Sequence, residues 1–256
     1  MLIKYLNTLK VIKTQILRQN IHKLSTMKFL TQEEAINVDL ELFNEYKFSV
    51  DQLMELAGLS CAHAVAKEFP IKSDEDKREA LIIAGPGNNG GDGLVLARHL
   101  SLMNFKPSVY YPKRVDKPLF NNLVKQCELM DIPFLDSCPD VESSSKYRFI
   151  ADGLFGFSFK PPVRDAFKDV MNLMCNTKTH VCCIDIPSGW DVEKGAKEGD
   201  AIKPYMLISL TAPKLCAKHF NGAHYLGGRF VPPRLSQKYQ MDLPEYPGTE
   251  LCIKLN

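Results

Sequence analysis

Three polar side chains that follow a short apolar segment in the sequence are the first candidates for binding or catalysis. Residues 81–84 predict a β-strand, and an apolar helical pattern resumes at Leu94. Strand, glycine-rich turn and helix is the layout that presents backbone N–H groups to a phosphate at a helix N-terminus. Within the turn, Asn88, Asn89 and Asp92 add oxygens that can hold a hydroxyl-rich ligand or a hard cation. The alternative is a plain connection in which Gly, Asn and Asp supply positive φ angles, but five glycines exceed that need.

Two other predicted strands also end in polar groups. One delivers Asp152 and then Lys160, and the other contains Asp185 and is followed by Ser188. Because ligands bind outside the carboxyl ends of strands in open α/β sheets, these groups can meet. Each residue also has a purely structural alternative: Asp152 could form a turn, Ser188 could cap the next element, and Lys160 could be a solvated surface lysine. A carboxylate inside an apolar strand is costly unless it is paired or solvated, so Asp185 is the strongest functional candidate.

The oxygen donors among these residues suggest a class of metal ion. Asn89, Asp152 and Ser188 are neutral or anionic oxygen donors, which suit a hard cation rather than zinc or copper. The low carboxylate count argues against a tight Ca²⁺ cage. We therefore expect a monovalent ion such as K⁺.

The order of the predicted elements indicates the fold class. Capping boxes that begin at Thr31 and Ser49 open two helices. Strands are then predicted over residues 81–84, 107–111, 147–151, 181–186, 206–210 and 223–231, and helices over 94–104, 119–130 and 163–174. Such alternation is typical of a mostly parallel sheet with helices on both faces, so we expect one α/β domain whose last strand is 223–231.

Bulk composition excludes several classes of protein. The 256 residues carry a net charge of +2, too small to suggest nucleic-acid binding, and no apolar run approaches the roughly 20 residues of a transmembrane helix. The eight cysteines form no C-x-x-C pair and several lie in apolar runs, so we expect reduced thiols and no zinc site. An ordinary NAD-dependent dehydrogenase is disfavoured because the required G-x-G-x-x-G turn and an acidic ribose-binding residue about 20 positions later are not seen in that arrangement.

The N-terminal segment differs from the rest of the chain. Residues 1–27 hold no Asp or Glu, and their five Lys and Arg residues alternate with apolar residues at near-helical spacing. Such a segment is typical of a mitochondrial targeting leader, so we expect residues 1–29 to be a leader and residues 30–256 to form the domain. A basic helix lying on the domain and a true start at Met27 are the alternatives. The expected location is the mitochondrion, the cytoplasm or both, since the leader does not support secretion.

Six segments together resemble one family. They are GPGNNGGDGLVLARHL at 85–100, YYPKR at 110–114, LFGFSFKPP at 154–162, CIDIPSGWDVE at 183–193, ISLTAPK at 208–214 and GGRFVP at 227–232. In this order they resemble the NAD(P)H-hydrate epimerases, whose animal members are also called apolipoprotein A-I-binding proteins. The resemblance implies a Rossmann-like three-layer αβα sandwich. It also implies an isomerase that interconverts the R and S forms of hydrated NADH and NADPH (NADHX and NADPHX) at C6 of the nicotinamide ring.

The resemblance assigns roles to residues of two loops and to the strand ends. By similarity, the substrate-binding residues are Asn88, Asn89, Gly90, Gly91 and Asp92, then Gly156, Phe157, Ser158, Phe159, Lys160, Pro161 and Pro162, and also Asp185. Asn89, Asp152 and Ser188 would hold one K⁺ per subunit. Asp185 is the expected general acid and base, with Lys160 assisting proton transfer or neutralising phosphate. Loss of the C6 hydroxyl to an iminium-like cation and opening of the ring to an aldehyde both stay open as routes.

The resemblance also implies partners. A separate ATP- or ADP-dependent, S-specific dehydratase would use the product and restore NAD(P)H. A homodimer and an interaction with apolipoprotein A-I are implied by the family as well. A non-catalytic nucleotide-binding scaffold that docks a lipoprotein or another protein is the alternative function. It is disfavoured because a pure binder has no need of Asp185 in an apolar strand or of Lys160.

Overall fold

The computed structural model describes residues 26–160, 162–197, 199 and 201–256. The predicted leader over residues 1–29 lies almost wholly outside this range. Residues ahead of Leu30 already pack on the domain, because Met27 is buried in a small apolar cluster with Leu226 and Ile253. Within the described part of the chain, no helix is long and apolar enough to cross a membrane.

Eight strands form one sheet, and the mostly parallel α/β fold is confirmed. The strands are β1 (Glu79–Ala84), β2 (Lys106–Tyr110), β3 (Phe134–Leu135), β4 (Phe149–Gly153), β5 (His180–Ile184), β6 (Met206–Leu210), β7 (Ala223–Gly227) and β8 (Ile253–Lys254). Their order across the sheet is β3-β2-β1-β4-β5-β6-β7-β8. Every neighbouring pair is parallel except β7 and β8, which are antiparallel.

In the described part of the chain, six α-helices surround the sheet. They are α1 (Gln32–Asn44), α2 (Val50–Glu68), α3 (Asn88–Leu102), α4 (Pro118–Leu129), α5 (Lys168–Asn176) and α6 (Pro233–Lys238). Both predicted capping boxes are present, since the Thr31 and Ser49 side chains accept from the N–H groups three residues on. Each box satisfies two backbone donors that the first helical turn leaves free, which fixes where α1 and α2 begin.

Alternate residues of the strands build two apolar layers, one on each face. In β1, Ile82 packs in the cluster that holds α2, α3 and α4, whereas Leu81 and Ile83 pack in the cluster that holds α5. This alternation follows from the two-residue period of a strand, and burial on both faces explains the near-continuous apolar runs. The three layers therefore are helices, sheet and helices. α1 and α6 close one end over a third, smaller cluster.

Several predicted boundaries are wrong. β5 ends at Ile184 rather than at residue 186, so Asp185 follows the strand instead of interrupting it. α3 begins at Asn88 rather than near residue 94, because most of the glycine-rich segment folds as its first turns. The predicted strand 223–231 stops at Gly227, and β8 is the last strand. Isolated short strands at a sheet edge leave almost no periodic signal in sequence.

Candidate functional site

A cavity of about 630 Å³ lies at the carboxyl ends of the central strands. β1 has β2 on one side and β4 on the other, and such a switch point leaves a crevice outside an open sheet. The predicted substrate-binding residues that line the cavity are Asn88, Asn89, Asp92, Gly156, Phe157, Ser158, Phe159, Lys160, Pro162 and Asp185. Gly90 and Gly91 are not part of the lining, and Pro161 lies outside the described residues.

Asp185 lies on the cavity just past the end of β5. Its N–H donates to the Ile208 carbonyl at 2.7 Å, which extends the pairing with β6 by one bond. Its φ is 67°, and the Ile186 N–H donates to the Ile184 carbonyl at 2.8 Å. A hydrogen bond across a single residue of positive φ is a γ-turn, a rare and strained conformation. The strain ends the strand and keeps Asp185 at the cavity wall, where it is 5% exposed.

Thr211 repeats this geometry at the end of the neighbouring strand β6. Its φ is 68°, and the Ala212 N–H donates to the Leu210 carbonyl at 2.7 Å. A β-branched residue with positive φ is an outlier. Thr211 also lines the cavity. Two adjacent strands thus end in strained turns at one cavity, and backbone strain of this kind is concentrated at functional sites.

A buried lysine pairs with Asp185. Lys214 Nζ forms an ion pair with Asp185 Oδ1 and donates to the Leu210 carbonyl at 2.9 Å. Only 3% of the Lys214 side chain and 6% of the Asp185 side chain are exposed. Because such burial costs much of the hydration of both charges, the pair is weak evidence for stability and better evidence for a functional site.

Lys214 belongs to one of the six family-like segments, yet the sequence did not predict it as a site residue. The partners are 29 residues apart and lie after different strands, so no local spacing connects them. The register of β5 and β6 brings them together.

The segment that leads into α1 fixes both Lys214 and the loop over the cavity. The Leu30 backbone makes hydrogen bonds of 2.8 and 3.0 Å to the residues on either side of Lys214. Gln32 Nε2 donates to the Phe157 carbonyl at 2.6 Å. The Phe157 ring centroid lies 5.3 Å from Lys214 Nζ, and the Phe157 N–H donates weakly to Asp185 Oδ2 at 3.4 Å. One short segment therefore positions the lysine and covers the carboxylate.

The N-terminus of α3 opens directly onto the cavity. Asn88 and Asn89 are its first residues and line the cavity, and the N-cap Gly87 offers no side-chain hydrogen bond. The first N–H groups of a helix have no helical partner and favour an anion. A Cβ at Gly90 would lie 1.8 Å from the Gly85 carbonyl oxygen, so Gly90 permits a close approach of two backbone segments. The glycines at 85, 87 and 90 have the G-x-G-x-x-G spacing of dinucleotide-binding turns, a match that the sequence-based interpretation missed.

Asp152 and Ser188 form a buried hydrogen-bonded unit between the ends of β4 and β5. The Ser188 hydroxyl and N–H donate to the Asp152 carboxylate at 2.6 and 2.8 Å, and the Leu154 N–H donates to it at 3.1 Å. The Phe155 N–H donates to Ser188 Oγ at 2.9 Å. Burial raises the pKa of Asp152, and the hydrogen bonds from Ser188 and Leu154 oppose that rise.

Asn89 adds an oxygen beside this unit that has no partner. Its Nδ2 donates to the Ile184 carbonyl at 3.2 Å, whereas its Oδ1 is buried without a hydrogen bond to any described residue. The Asn89 backbone lies against Gly153, which follows Asp152. Buried polar atoms are rarely left unsatisfied, and oxygens of this kind suit a hard cation. Since no group of three or more His, Cys, Asp or Glu in the described ranges could hold a metal, a cation here would need neutral oxygens in addition to the Asp152 carboxylate. The donor types fit K⁺.

Two more carboxyl groups share the cavity. Burial raises the pKa of Asp92 well above its ordinary value, Asp185 and Asp39 raise it further, and Lys214 opposes them. The protonated form of Asp92 is thus favoured, and it can donate a hydrogen bond to a ligand. Asp39 comes from α1, and burial raises its pKa to about 6 against the attraction of Lys214. The sequence did not predict Asp39 as a site residue, because an acidic residue in an amphipathic helix is ordinarily a solvated one.

Lys160 lies in an exposed part of the cavity lining, together with the exposed Arg164. The rings of Phe155 and Phe159 also line the cavity, and they stack with centroids 4.2 Å apart. The structure therefore places the predicted catalytic lysine at the rim, and a different lysine, Lys214, against Asp185.

Comparisons with known proteins agree with this geometry. The family model described as "YjeF-related protein N-terminus" matches residues 50–216. An NAD(P)H-hydrate epimerase of Anopheles darlingi is 59% identical over 232 residues, which cover 90% of this chain and 100% of that protein. The crystal structure of yeast ynu0 superposes with a TM-score of 0.85 at 39% identity, over 89% of this chain and 100% of that one. The chain therefore belongs to the YjeF-related N-terminal family and, within it, to the NAD(P)H-hydrate epimerases.

Proposed function

We propose that this chain interconverts the R and S epimers of NADHX and NADPHX at C6 of the hydrated nicotinamide ring. The observation that carries the proposal is the buried Asp185–Lys214 pair on a cavity into which a helix N-terminus also opens. The cavity thus combines an anion-binding end with an acid–base end. A nucleotide with a reactive ring needs both.

Asp185 is the proposed general acid and base at C6. This carbon bears a ring nitrogen and a hydroxyl, so protonation of the departing oxygen leaves a cation that the nitrogen shares. A carboxylate held beside that cation stabilises it electrostatically, and more so in a site shielded from water. Lys214 holds the carboxylate in place through its ion pair, and its own position is fixed by the Leu210 carbonyl. We propose this role for Lys214 rather than for Lys160.

The rest of the nucleotide would lie towards the rim. The backbone N–H groups of Asn88 and Asn89 would bind phosphate, assisted by the exposed cation of Lys160. Protonated Asp92 would donate to a ribose hydroxyl. The aromatic side chains of the loop at 155–159 offer flat faces to a ring.

We also propose that Asn89, Asp152 and Ser188 hold one K⁺. When bound, the ion would supply positive charge beside the buried Asp152 carboxylate and tie the ends of β4 and β5 together. Support comes from the unpartnered Asn89 Oδ1. The test is thermal unfolding of the wild type and of Asn89→Leu in KCl and in choline chloride. We expect K⁺ to raise the melting temperature of the wild type alone, and equal shifts in both proteins would contradict the site.

Targeting and partners are further expectations. Four expectations remain predictions: mitochondrial targeting by residues 1–29, coupling to an S-specific dehydratase, a homodimer and an interaction with apolipoprotein A-I. An S-specific dehydratase is the expected partner, because interconversion of the epimers is useful only if the enzyme that uses the product accepts one of the two.

The experiment that tests the activity uses the full chain. R-NADHX is mixed with an S-specific dehydratase and its nucleotide, and the recovery of NADH is followed by absorbance with and without the protein. We expect recovery well above the spontaneous rate. Recovery at the spontaneous rate, from folded protein that still binds the nucleotide, would contradict the proposal and favour a non-catalytic scaffold.

A further inference from the structure

We propose that Asp39 is a second acid–base group of the reaction, which serves the face of the nicotinamide ring that Asp185 does not. The inference rests on the proposed epimerase function and adds a residue from a different wall of the cavity. Asp185 directly follows β5 of the sheet, whereas Asp39 belongs to α1.

The position of Asp39 on α1 is unusual for a carboxylate. Ala35, Val38 and Leu42 are the buried face of the helix. Asp39 directly follows Val38 and lines the cavity, as does Phe43 one turn later. The helix thus presents an acidic side chain from the flank of its apolar face, where desolvation disfavours the charge. Such a residue needs a function that offsets this cost.

α1 is tied to the pair on which the reaction depends. The Leu30 backbone bonds to both neighbours of Lys214, and Gln32, the first residue of α1, bonds to the Phe157 carbonyl. Asp39 follows two turns later on the same helix. Its position relative to Asp185 is therefore fixed by backbone contacts rather than by a mobile loop.

The charges that face Asp39 leave it without a dedicated partner. Lys214 attracts it, Asp185 repels it, and it raises the pKa of Asp92, which lines the same cavity. Lys214 is already paired with Asp185, and in the described ranges no ion pair of Asp39 is formed. A pKa of about 6 means that both protonation states are populated near neutral pH, as a group that gives and takes protons requires.

Inversion at C6 needs two such groups. A carboxylic acid on one face gives its proton to the hydroxyl, the C6–O bond breaks, and water departs while the ring nitrogen shares the positive charge. A water molecule then forms a new C6–O bond from the other face and gives one proton to a carboxylate there. One proton has entered and one has left, so the sum is one epimer converted to the other. The reverse reaction exchanges the two roles.

The test separates oxygen exchange from inversion in Asp39→Asn. The full-length protein is incubated with R-NADHX and, separately, with S-NADHX in ¹⁸O-water, and the separated epimers are analysed by mass spectrometry. We expect inversion to fall by roughly 10²–10⁴-fold, because one face has lost its proton donor and acceptor. Exchange should persist in the one epimer whose hydroxyl faces Asp185, because Asp185 still breaks and remakes the bond on its own face. Asp39→Glu should recover part of the inversion.

Glu33→Gln is the matched control, since Glu33 is an exposed carboxylate on the same helix. It should change neither rate. Thermal unfolding at neutral pH checks the fold, and Asp39→Asn should melt no lower than the wild type because it removes a desolvated charge. Equal losses of exchange and inversion with both epimers, a variant that inverts as fast as the wild type, or wild-type inversion without exchange would each overturn the proposal. A wild type that does not invert R-NADHX would instead contradict the epimerase function itself.

Discussion

At the scale of single residues, the site depends on an ion pair that only the folded chain creates. Asp185 was identifiable from sequence because a carboxylate next to a strand of valine, cysteine and isoleucine has a high desolvation cost. Lys214 was not, because a lysine after an apolar strand resembles many surface lysines. The structure distinguishes the two lysines: Lys214 is buried against Asp185, and Lys160 is exposed.

This difference predicts unlike kinetic effects for the two lysines. Lys214→Met should lower kcat by roughly 10²–10⁴-fold, because it leaves Asp185, the proposed acid–base carboxylate, without its partner. Lys160→Met should mainly raise KM, because it removes a rim cation that we propose binds phosphate equally in the ground and transition states. Steady-state kinetics with purified R-NADHX measures both. A kcat loss in Lys160→Met with normal kcat in Lys214→Met would reverse the assignment.

Lys214→Met should also destabilise the fold, since removal of one partner leaves a buried, unpaired carboxylate at a cost of about 3–5 kcal/mol. The double variant Asp185→Asn/Lys214→Met controls for this effect. It should recover much of the free energy of unfolding, measured with urea, and none of the activity. Recovery of activity along with stability would mean that the pair has only a structural role.

At the scale of elements, strand ends and the start of α3 position several polar groups of the cavity, whereas Asp39 comes from the middle of α1. The capping boxes of α1 and α2 were predicted at the residues where the structure places them, because caps are local interactions. The start of α3 was not, because its first turn contains Gly90 and Gly91, which propensity excludes from helices. Tertiary contacts explain why glycine is found in this helix: Gly90 packs against the Gly85 carbonyl, and Gly91 packs against Met54. The γ-turns at Asp185 and Thr211 also have no local sequence signature.

The close approach at Gly90 predicts a sharp effect of a single methyl group. In Gly90→Ala the new Cβ would lie 1.8 Å from a backbone oxygen, which cannot move without displacing β1. We expect a loss of more than about 3 kcal/mol of unfolding free energy or failure to fold. Gly87→Ala is the matched control, because nothing lies within 4 Å of the Cβ that it would add and the φ of Gly87 is negative. It should cost about 1 kcal/mol or less in urea unfolding, and equal costs at the two glycines would contradict the packing argument.

At the scale of the whole molecule, the fold class followed from alternating strands and helices, and the three-layer arrangement agrees with it. What could not follow from sequence is the closure of the cavity by α1, which precedes the sheet in the chain and packs near Ala212 beyond β6. Contacts between residues so far apart in the chain leave no periodic pattern in the sequence. Asp39 was missed for that reason, whereas Asn88, Asn89 and Asp185 share the topological switch region of the sheet.

A buried histidine predicts how the stability of the whole domain depends on pH. His224 in β7 bonds through Nε2 to Ser209 in β6 at 2.9 Å, and burial lowers its pKa from 6.5 to about 4. Between pH 6.5 and about 4, the unfolded chain therefore binds more protons at this histidine than the folded chain does. The contribution of His224 to the free energy of unfolding is complete above pH 6.5 and is lost as the pH falls towards 4. The slope should approach about 1.4 kcal/mol per pH unit. His224→Gln should flatten it in urea unfolding, and an unchanged slope would exclude His224 as its source.

The most direct test of the account compares wild type and Asp185→Asn in the interconversion of purified R- and S-NADPHX, with nucleotide binding measured by calorimetry on the same samples. We predict that the variant binds the nucleotide with an affinity close to that of the wild type and loses epimerisation by roughly 10²-fold or more. The amide keeps an acceptor for Lys214, so binding and fold should survive. Epimerisation at the wild-type rate in Asp185→Asn would contradict the central claim that this carboxylate carries the proton transfer.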